Sequence, residues 1–414
     1  MTSRALLAPI AATERIVVLD VLRGFALLGI LLMNIEAFVG PLDLALTGVE
    51  PHWQGADRIA DALVYFFVQG KFYTLFALLF GMGFAVMAQR AEPAGGAFLG
   101  TYLRRTAGLL VIGLLHALLL WSGDILVSYA LLAPLLLVVR RLPTVTLPWL
   151  AGLVYAFAPG LVLLYALVGA LAQTDPDMAA AWNTALADIA QQSAANVQAQ
   201  RAAFGSGTYL QATLQRWHDL GQALSGLSIN GPTVLGMFLL GAWFVRSGAI
   251  AAPTRHARLF ALLRHVALPL GSGLMLVSYA LEPWMDPTRA TVRLSVAFAL
   301  SLIAGPLMSL GYAAWVVRLA PRLGWLAPAG RMALSNYLLQ SALCTWIFYG
   351  YGLGYFEQLP RCWQVPFALG VFGMQLALSR WWLQRCCFGP VEWLWRGATY
   401  LRLPPMRRGQ AGTG

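Results

Sequence analysis

Ten apolar runs recur along the chain, each near the ~20 residues that an α-helix needs to cross a bilayer. They fall roughly at 17–39, 68–89, 103–121, 124–139, 145–171, 226–245, 262–281, 291–317, 331–352 and 363–383. A chain with so many such runs is committed to lipid. Inside a bilayer every backbone polar group must be bonded internally, and a helix does this within one segment. The composition agrees: 414 residues, 59% hydrophobic and only 11% charged, are too apolar for a soluble protein of this size. The expected fold is all-α, a polytopic transmembrane helical bundle of about ten spans with amphipathic interfacial helices, forming one domain over 1–414. No strand pattern appears.

The net charge of +11 comes almost wholly from arginine, and Lys71 is the single lysine. The arginines sit between apolar runs, so they point to topology and anionic lipid rather than to nucleic acid. Arg4, Arg15, Arg90, Arg104, Arg105, Arg140, Arg141 and Arg246 fall in one set of hinges. Arg255, Arg258, Arg264, Arg318, Arg322, Arg331 and the arginines after 384 join them. The opposite hinges hold Asp43, Glu50, Asp57, Asp124, Asp175, Asp177, Glu282, Asp286 and Glu357. The positive-inside rule then puts both termini in the cytoplasm, and an even span count agrees. The first fifteen residues lack a good signal-peptide core, so the first span is expected to be retained. Four cysteines make neither a metal spacing nor a disulfide framework, and no metal is expected.

Two stretches do not fit simple hairpins. Residues 173–217 form a polar, Ala/Gln-rich insertion, expected as one or two amphipathic helices over the outer membrane face. Residues 40–67 carry Pro51, His52 and Trp53 before an amphipathic run. A straight helix from Ile59 to Gln89 would be about 46 Å long, too long for one crossing. An interfacial helix is expected first, and then a span beginning near Gly70 and Lys71. Residues 386–414 are expected as a cytoplasmic tail.

Ionisable groups are expensive in lipid, so those inside the runs are the candidates for function. Arg105 and His116 are eleven residues apart, nearly a whole number of turns, and share one helix stripe about 16 Å long. Arg23 and Asn34 in the first run repeat that spacing, and Asp20 can pair with Arg23. Arg23, Arg104 and Arg105 have the plainer reading of snorkelling to the interface. His116 is the natural proton carrier near neutral pH. Asp124 follows Ser122-Gly123, where the helix should stop. It is either the N-cap of the next helix or a partner of His116. Glu36 is a second carboxylate that can orient the imidazole. Lys71 is expected at the outer interface, as a candidate substrate contact. Asn336 and Gln340, four apart and on one face, read as interhelical hydrogen bonds or as substrate contacts. His52 is a loop residue within reach of the outer mouth. Motifs for a metalloprotease, a serine hydrolase elbow or a phosphate loop do not occur.

The blocks LDVLRGFALLGILLMNI (19–35), KFYTLFALLFGMGF (71–84), LLHALLLWSGDILVSYA (114–130), GRMALSNYLLQSALCTWIFYGYGLG (330–354) and FGPVEWLWR (388–396) carry a resemblance. With them the chain resembles the YeiB-like family of bacterial inner-membrane proteins, a domain of unknown function, in order and over nearly its whole length. That family is similar to the wider transmembrane acyltransferases, including heparan-α-glucosaminide acetyltransferase and bacterial carbohydrate O-acyltransferases. In the latter the first helix places a catalytic histidine ten residues after an arginine. Here Arg23 is followed at that place by Asn34, and an amide cannot be a general base. The lysosomal enzyme resembles this chain in having Asn there, with its histidine on the next outer loop, where this chain has His52. The arginine-to-histidine spacing reappears as Arg105 and His116, so both histidines remain candidates.

The resemblance implies a bacterial inner-membrane acyltransferase. Cytoplasmic acyl-CoA, such as acetyl-CoA, is the implied co-substrate, and a periplasmic hydroxyl or amine, such as a carbohydrate, the implied acceptor. Arg23, Arg104 and Arg105 would hold the coenzyme phosphates. His116 would serve as base or accept the acyl group itself, Asn34 would donate to the oxyanion, and Asp124 or Glu36 would orient the ring. The expected site is a narrow passage, cationic at its mouth and ending at the imidazole. The alternative is a small-molecule or proton-coupled transporter using the same groups. Membrane lipid is an expected partner. Acceptor identity, acyl length and any homo-oligomer leave no mark in the sequence.

Overall fold

The computed structural model describes residues 16–91, 98–286 and 289–408. Arg4 and Arg15 lie outside the described residues. In chain order the helices are α1 (Val17–Val39), α2 (Gly55–Phe67), α3 (Phe72–Ala91), α4 (Phe98–Leu119), α5 (Leu126–Leu132), α6 (Leu135–Val139), α7 (Leu147–Ala172), α8 (Pro176–Gln200) and α9 (Tyr209–Ser225). There follow α10 (Leu227–Arg246), α11 (Ala257–Leu262), α12 (Leu268–Leu281), α13 (Val292–Leu319), α14 (Ala327–Arg331), α15 (Ala333–Phe348), α16 (Arg361–Arg385) and α17 (Pro390–Tyr400). Among the described residues no strand forms; only Gly48 with Trp284 and Cys386 with Arg407 meet in isolated bridges.

Among the described residues, eight helical stretches are long and apolar enough to cross a membrane. The other two apolar runs are interrupted. Leu126–Val139 is broken at Pro134 into α5 and α6. Its 14 residues reach only about 21 Å, short of a ~30 Å hydrocarbon core. α14 and α15 are divided at Met332. The expected all-α polytopic bundle is what forms.

α1 is the hub of the bundle and packs on α3, α13, α14, α15 and α16. Its contact with α14 is backbone to backbone. A Cβ at Gly330 would lie 1.9 Å from the Asp20 carbonyl oxygen, so only glycine fits there. The long run after Trp53 breaks where its length requires. α2 ends at Phe67 and α3 starts at Phe72, with a turn between them.

Arginines crowd one end of the bundle, at the end of α3, the start of α4, the α6–α7 hinge and the ends of α10, α13 and α16. This is the basic end. The opposite, acidic end is built from 40–54, the α4–α5 turn, the α8–α9 hairpin and 349–360. That end also holds a buried cation. Arg361, 2% exposed, lies between Asp61 at 2.8 Å and Glu36 at 3.1 Å.

The insertion is a helical hairpin running on to Ser225. Asp175 accepts the N–H groups of Asp177 and Met178 to start α8, and Thr208 and Gln211 form a capping box at α9. The hairpin docks through buried polar groups, Asn196, Gln200, Arg216 and Asp219. The segment expected as a cytoplasmic tail carries a docked helix. α17 packs on α4 and α15, because Trp395 donates its indole N–H to the Arg105 carbonyl at 2.8 Å and Glu392 accepts the Leu334 and Ser335 N–H groups at the start of α15. Residues 409–414 lie outside the described residues.

Candidate functional site

α4 carries Arg104, Arg105 and His116 and ends at Leu119. The His116 carbonyl then accepts two N–H groups, from Leu120 and Trp121, both at 2.9 Å, which stops the helix. The chain reverses through Ser122 and Gly123 and brings Asp124 back over the ring. α5 runs so close to α4 that a Cβ at Gly113 would lie 2.8 Å from the Val127 nitrogen. An unbroken helix would have held Asp124 about 12 Å from His116. The turn brings the Asp124 Oδ2 within 2.6 Å of His116 Nδ1, with both side chains fully buried.

Asp124 fills both expected roles. Its Oδ1 accepts the Val127 N–H at 2.7 Å and starts α5, while its Oδ2 holds the imidazole. The cap fixes the carboxylate, and the carboxylate fixes the ring. An ionised carboxylate only accepts, so the ring proton belongs on Nδ1 and Nε2 keeps its lone pair. Opposite Nε2, at 2.8 Å, is the Ser341 hydroxyl of α15, itself fully buried. With that tautomer Ser341 donates and His116 accepts. Carboxylate, imidazole and hydroxyl stand in the order of an activated-nucleophile triad, which is recognised by geometry and not by sequence position.

A cavity of about 600 Å³ approaches this group from the basic end. Its walls include Asp20, Arg23, Arg90, Arg105, Arg331 and Arg396 near that end, and Ile30, Leu79, Phe80 and Leu109 deeper. Its floor is made of Ile125, Leu126, Tyr129 and Tyr337. Tyr337 lies one helical turn before Ser341, and its ring centroid is 4.9 Å from that of His116. The Tyr337 hydroxyl is buried and, among the described residues, donates to no acceptor. His116, 1% exposed, faces the bundle interior but is not on the cavity wall. The passage therefore stops one side chain short of the imidazole instead of ending at it.

The double arginine divides because neighbours on a helix point about 100° apart. Arg105 turns to the cavity, its guanidinium carbon 3.8 Å above the Trp395 ring. Arg104 turns away, donating to the Thr399 carbonyl at 3.0 Å and to the Thr101 hydroxyl at 3.1 Å. Arg23 stays on the cavity wall and pairs with Asp20 at 3.0 Å.

Other candidates lie elsewhere. Glu36 does not orient His116; it bonds Arg361, and Asp124 and Ser341 already take both ring nitrogens. Asn34 is buried on α1 for the same reason without a bond to that ring. His52 is 59% exposed, pairs with Glu50 at 2.9 Å, lies tilted against Trp53 and lines no part of the cavity. Burial raises the Glu50 carboxyl above its ordinary range, with His52 opposing. Lys71 is buried within the bundle. It is 1% exposed, because the α2–α3 turn folds its ammonium onto the Tyr65 carbonyl at 2.9 Å and the Met275 sulfur at 3.4 Å. Asn336 and Gln340 have their bonding filled by α16. Asn336 donates to the Ser379 hydroxyl at 2.8 Å, Gln340 to the Gln375 carbonyl oxygen at 2.9 Å, and Gln375 back to the Asn336 carbonyl at 2.9 Å. They are interhelical hydrogen bonds and line no part of the cavity.

Ser341 and Tyr337 were missing from the sequence candidates. Their one signal is a Tyr and a Ser four apart beside the Asn336–Gln340 pair, in a block already distinctive.

The protein-family model described as "Protein of unknown function (DUF418)" matches residues 244–402. The uncharacterized protein YxaH of Bacillus subtilis (strain 168) is 36% identical over 97% of this chain and 98% of its own. The uncharacterized protein YeiB of Escherichia coli (strain K12) is 33% identical over 93% of this chain and 96% of its own. An uncharacterized 39.9 kDa protein from the amylase 3′ region of Bacillus acidopullulyticus is 28% identical over 96% and 97%. No solved structure matches. Full-length similarity above 30% with two relatives, joined to the family match, means that the chain belongs to the YeiB-like DUF418 family.

Proposed function

We propose that this protein is a transmembrane acyltransferase. It takes an acyl group, acetyl in the simplest case, from acyl-CoA on the basic side of the bilayer. It passes that group to a hydroxyl or amine acceptor, such as a carbohydrate, on the acidic side. The positive-inside rule makes the basic side cytoplasmic and the acidic side periplasmic in a bacterial inner membrane. The observation that supports this reading is one axis: the arginine-walled cavity, its Tyr337 floor, and the His116–Asp124 pair beyond.

Each part has a task. A cavity of about 600 Å³ lies within the usual range for small-molecule sites. Arg23 and Arg105 offer guanidinium groups to phosphate oxygens at its mouth, and Trp395 offers a flat ring beside Arg105 for a base or adenine-like plane. The lining below is largely apolar and suits an uncharged arm. The rise from Arg105 to His116, about 16 Å, sets how far that arm must reach. His116, held by Asp124, removes the proton that the reaction must lose. The Tyr337 ring has to swing aside for the thioester to arrive.

Binding of acetyl-CoA to purified protein in lipid nanodiscs tests the reading. Arg23→Glu with Arg105→Glu removes two charge-assisted contacts and should weaken binding at least roughly tenfold. Arg104→Glu should do much less, because Arg104 is off the cavity. No binding by the native protein, together with solute flux in proteoliposomes lacking coenzyme A, would replace the acyltransferase by a transporter.

A further inference from the structure

We propose that Ser341 carries the acyl group, as an ester formed and broken within each turnover. The inference rests on the acyltransferase reading and adds a covalent step to it.

A serine inside a helix normally returns its hydroxyl to the carbonyl four residues back. Ser341 has that option, but the Tyr337 carbonyl is 3.4 Å away, at the limit of a useful bond. The His116 Nε2 is at 2.8 Å and is the better acceptor. Asp124, capping α5 with one oxygen, holds the proton on Nδ1 with the other, so Nε2 can act on Ser341 alone. Three residues, from α4, the α4–α5 turn and α15, thus converge on one hydroxyl. A buried imidazole satisfied only for stability needs a bond at each nitrogen; it does not need a carboxylate on one side and a hydroxyl on the other.

The chemistry balances without a further reactant. The Ser341 Oγ attacks the thioester carbonyl carbon as its proton passes to His116 Nε2. The C–S bond breaks, and the imidazolium returns that proton to the coenzyme A sulfur, leaving an acyl-serine and a free thiol. In the second half the acceptor hydroxyl or amine attacks the ester carbon and gives its proton to His116 Nε2. The ester C–O bond breaks, and Ser341 recovers the proton. Tyr337, one turn away with an unspent O–H at the cavity floor, is the donor available to the carbonyl oxygen during attack. Full burial of Ser341 keeps water from the ester between the two halves. A resting ester also frees the acceptor from having to reach the site while coenzyme A is bound from the other side.

The test uses acetyl-CoA with full-length protein in nanodiscs and no acceptor. The native protein should release a burst of about one thiol per chain, the signature of a covalent intermediate. Acid-quenched digests should carry an acetyl group on the α15 peptide at Ser341. Ser341→Ala should still bind acetyl-CoA but show neither burst nor adduct. Ser341→Cys should regain an adduct, now a thioester that neutral hydroxylamine removes. An undiminished burst in Ser341→Ala, or an acetyl group found on His116, overturns the serine step and leaves the acyltransferase reading standing. Binding of acetyl-CoA by the native protein without any burst does the same. Absence of binding removes both.

Discussion

At the scale of single residues, Asp124 is the most informative position, because it does two separable things. It caps α5 through Oδ1 and sets the imidazole tautomer through Oδ2. Asparagine caps a helix about as well as aspartate. Asp124→Asn should therefore fold, with little change in thermal unfolding. Its amide N–H₂, however, donates to Nδ1 and drives the ring proton to Nε2, where it can no longer accept from Ser341. The proposed acyl transfer should fall by a factor on the order of 10⁴, the loss typical when a triad carboxylate becomes an amide. Asp124→Ala loses the cap as well, at about 1 kcal/mol, and so should show both the rate loss and a lower unfolding temperature. A single-turnover rate in Asp124→Asn equal to that of the native protein would remove the imidazole from the mechanism.

At the scale of elements, the α8–α9 hairpin closes the acidic end over the α4–α5 turn. Tyr209 donates to the Leu119 carbonyl at 2.8 Å, and Ser122 donates to Asp219 at 2.9 Å, two residues from Asp124. Burial raises the Asp219 carboxyl above its ordinary value of 3.8, outweighing hydrogen bonds from Gln200, Gln215 and Ser122, and the nearby Asp43 charge adds to the shift. A carboxyl with a raised folded pKa stabilises the docked state fully below the unfolded value, and that contribution is lost as pH rises through the folded one. Amide-exchange protection in α9 should thus decline as pH climbs above about 4, once corrected for intrinsic exchange. Asp219→Asn should flatten that decline. A protection profile that rises with pH in the native protein would contradict the assignment. The existence of this hairpin was legible, since residues 173–217 are polar between apolar runs. Its docking was not. Hydrophobic periodicity says which face of a helix is apolar, whereas Gln200, Arg216 and Asp219 are buried on polar partners from other elements. The docking of α17 was hidden for a related reason. WLWRGATY reads as a basic tail until Trp395 and Glu392 are seen bonding α4 and α15.

At the scale of the whole molecule, what could be read in advance follows from which physics is local. The all-α membrane bundle and the bias of arginine towards one end are properties of the chain itself, set by hydrocarbon thickness and charge. The count of full-length spans is not, since breaks at Pro134 and Met332 leave eight such helices among the described residues where ten apolar runs occur. His116 and Asp124 were visible because they are close in sequence. Ser341 is 225 residues from His116, and no period in either segment names the other as its neighbour. Arg361 escaped for the same reason, since it meets Glu36 and Asp61 across 325 and 300 residues. Arg361 at the acidic end, with Arg58 and Arg293 exposed there and Arg201 half-buried beside Glu357, shows that the division is one of net balance and not of every arginine. The direction of the proposed acyl transfer depends on that division. In a cysteine-free background, Leu353→Cys places a thiol at a 58% exposed position on the acidic end, and Leu403→Cys at a 63% exposed position on the basic end. A membrane-impermeant maleimide should label the first in intact expressing cells and the second only after the inner membrane is opened. The reverse pattern would put the arginine-walled cavity on the outer side, out of reach of the cytoplasmic acyl-CoA pool. With it would go the reason for a cationic mouth at that end.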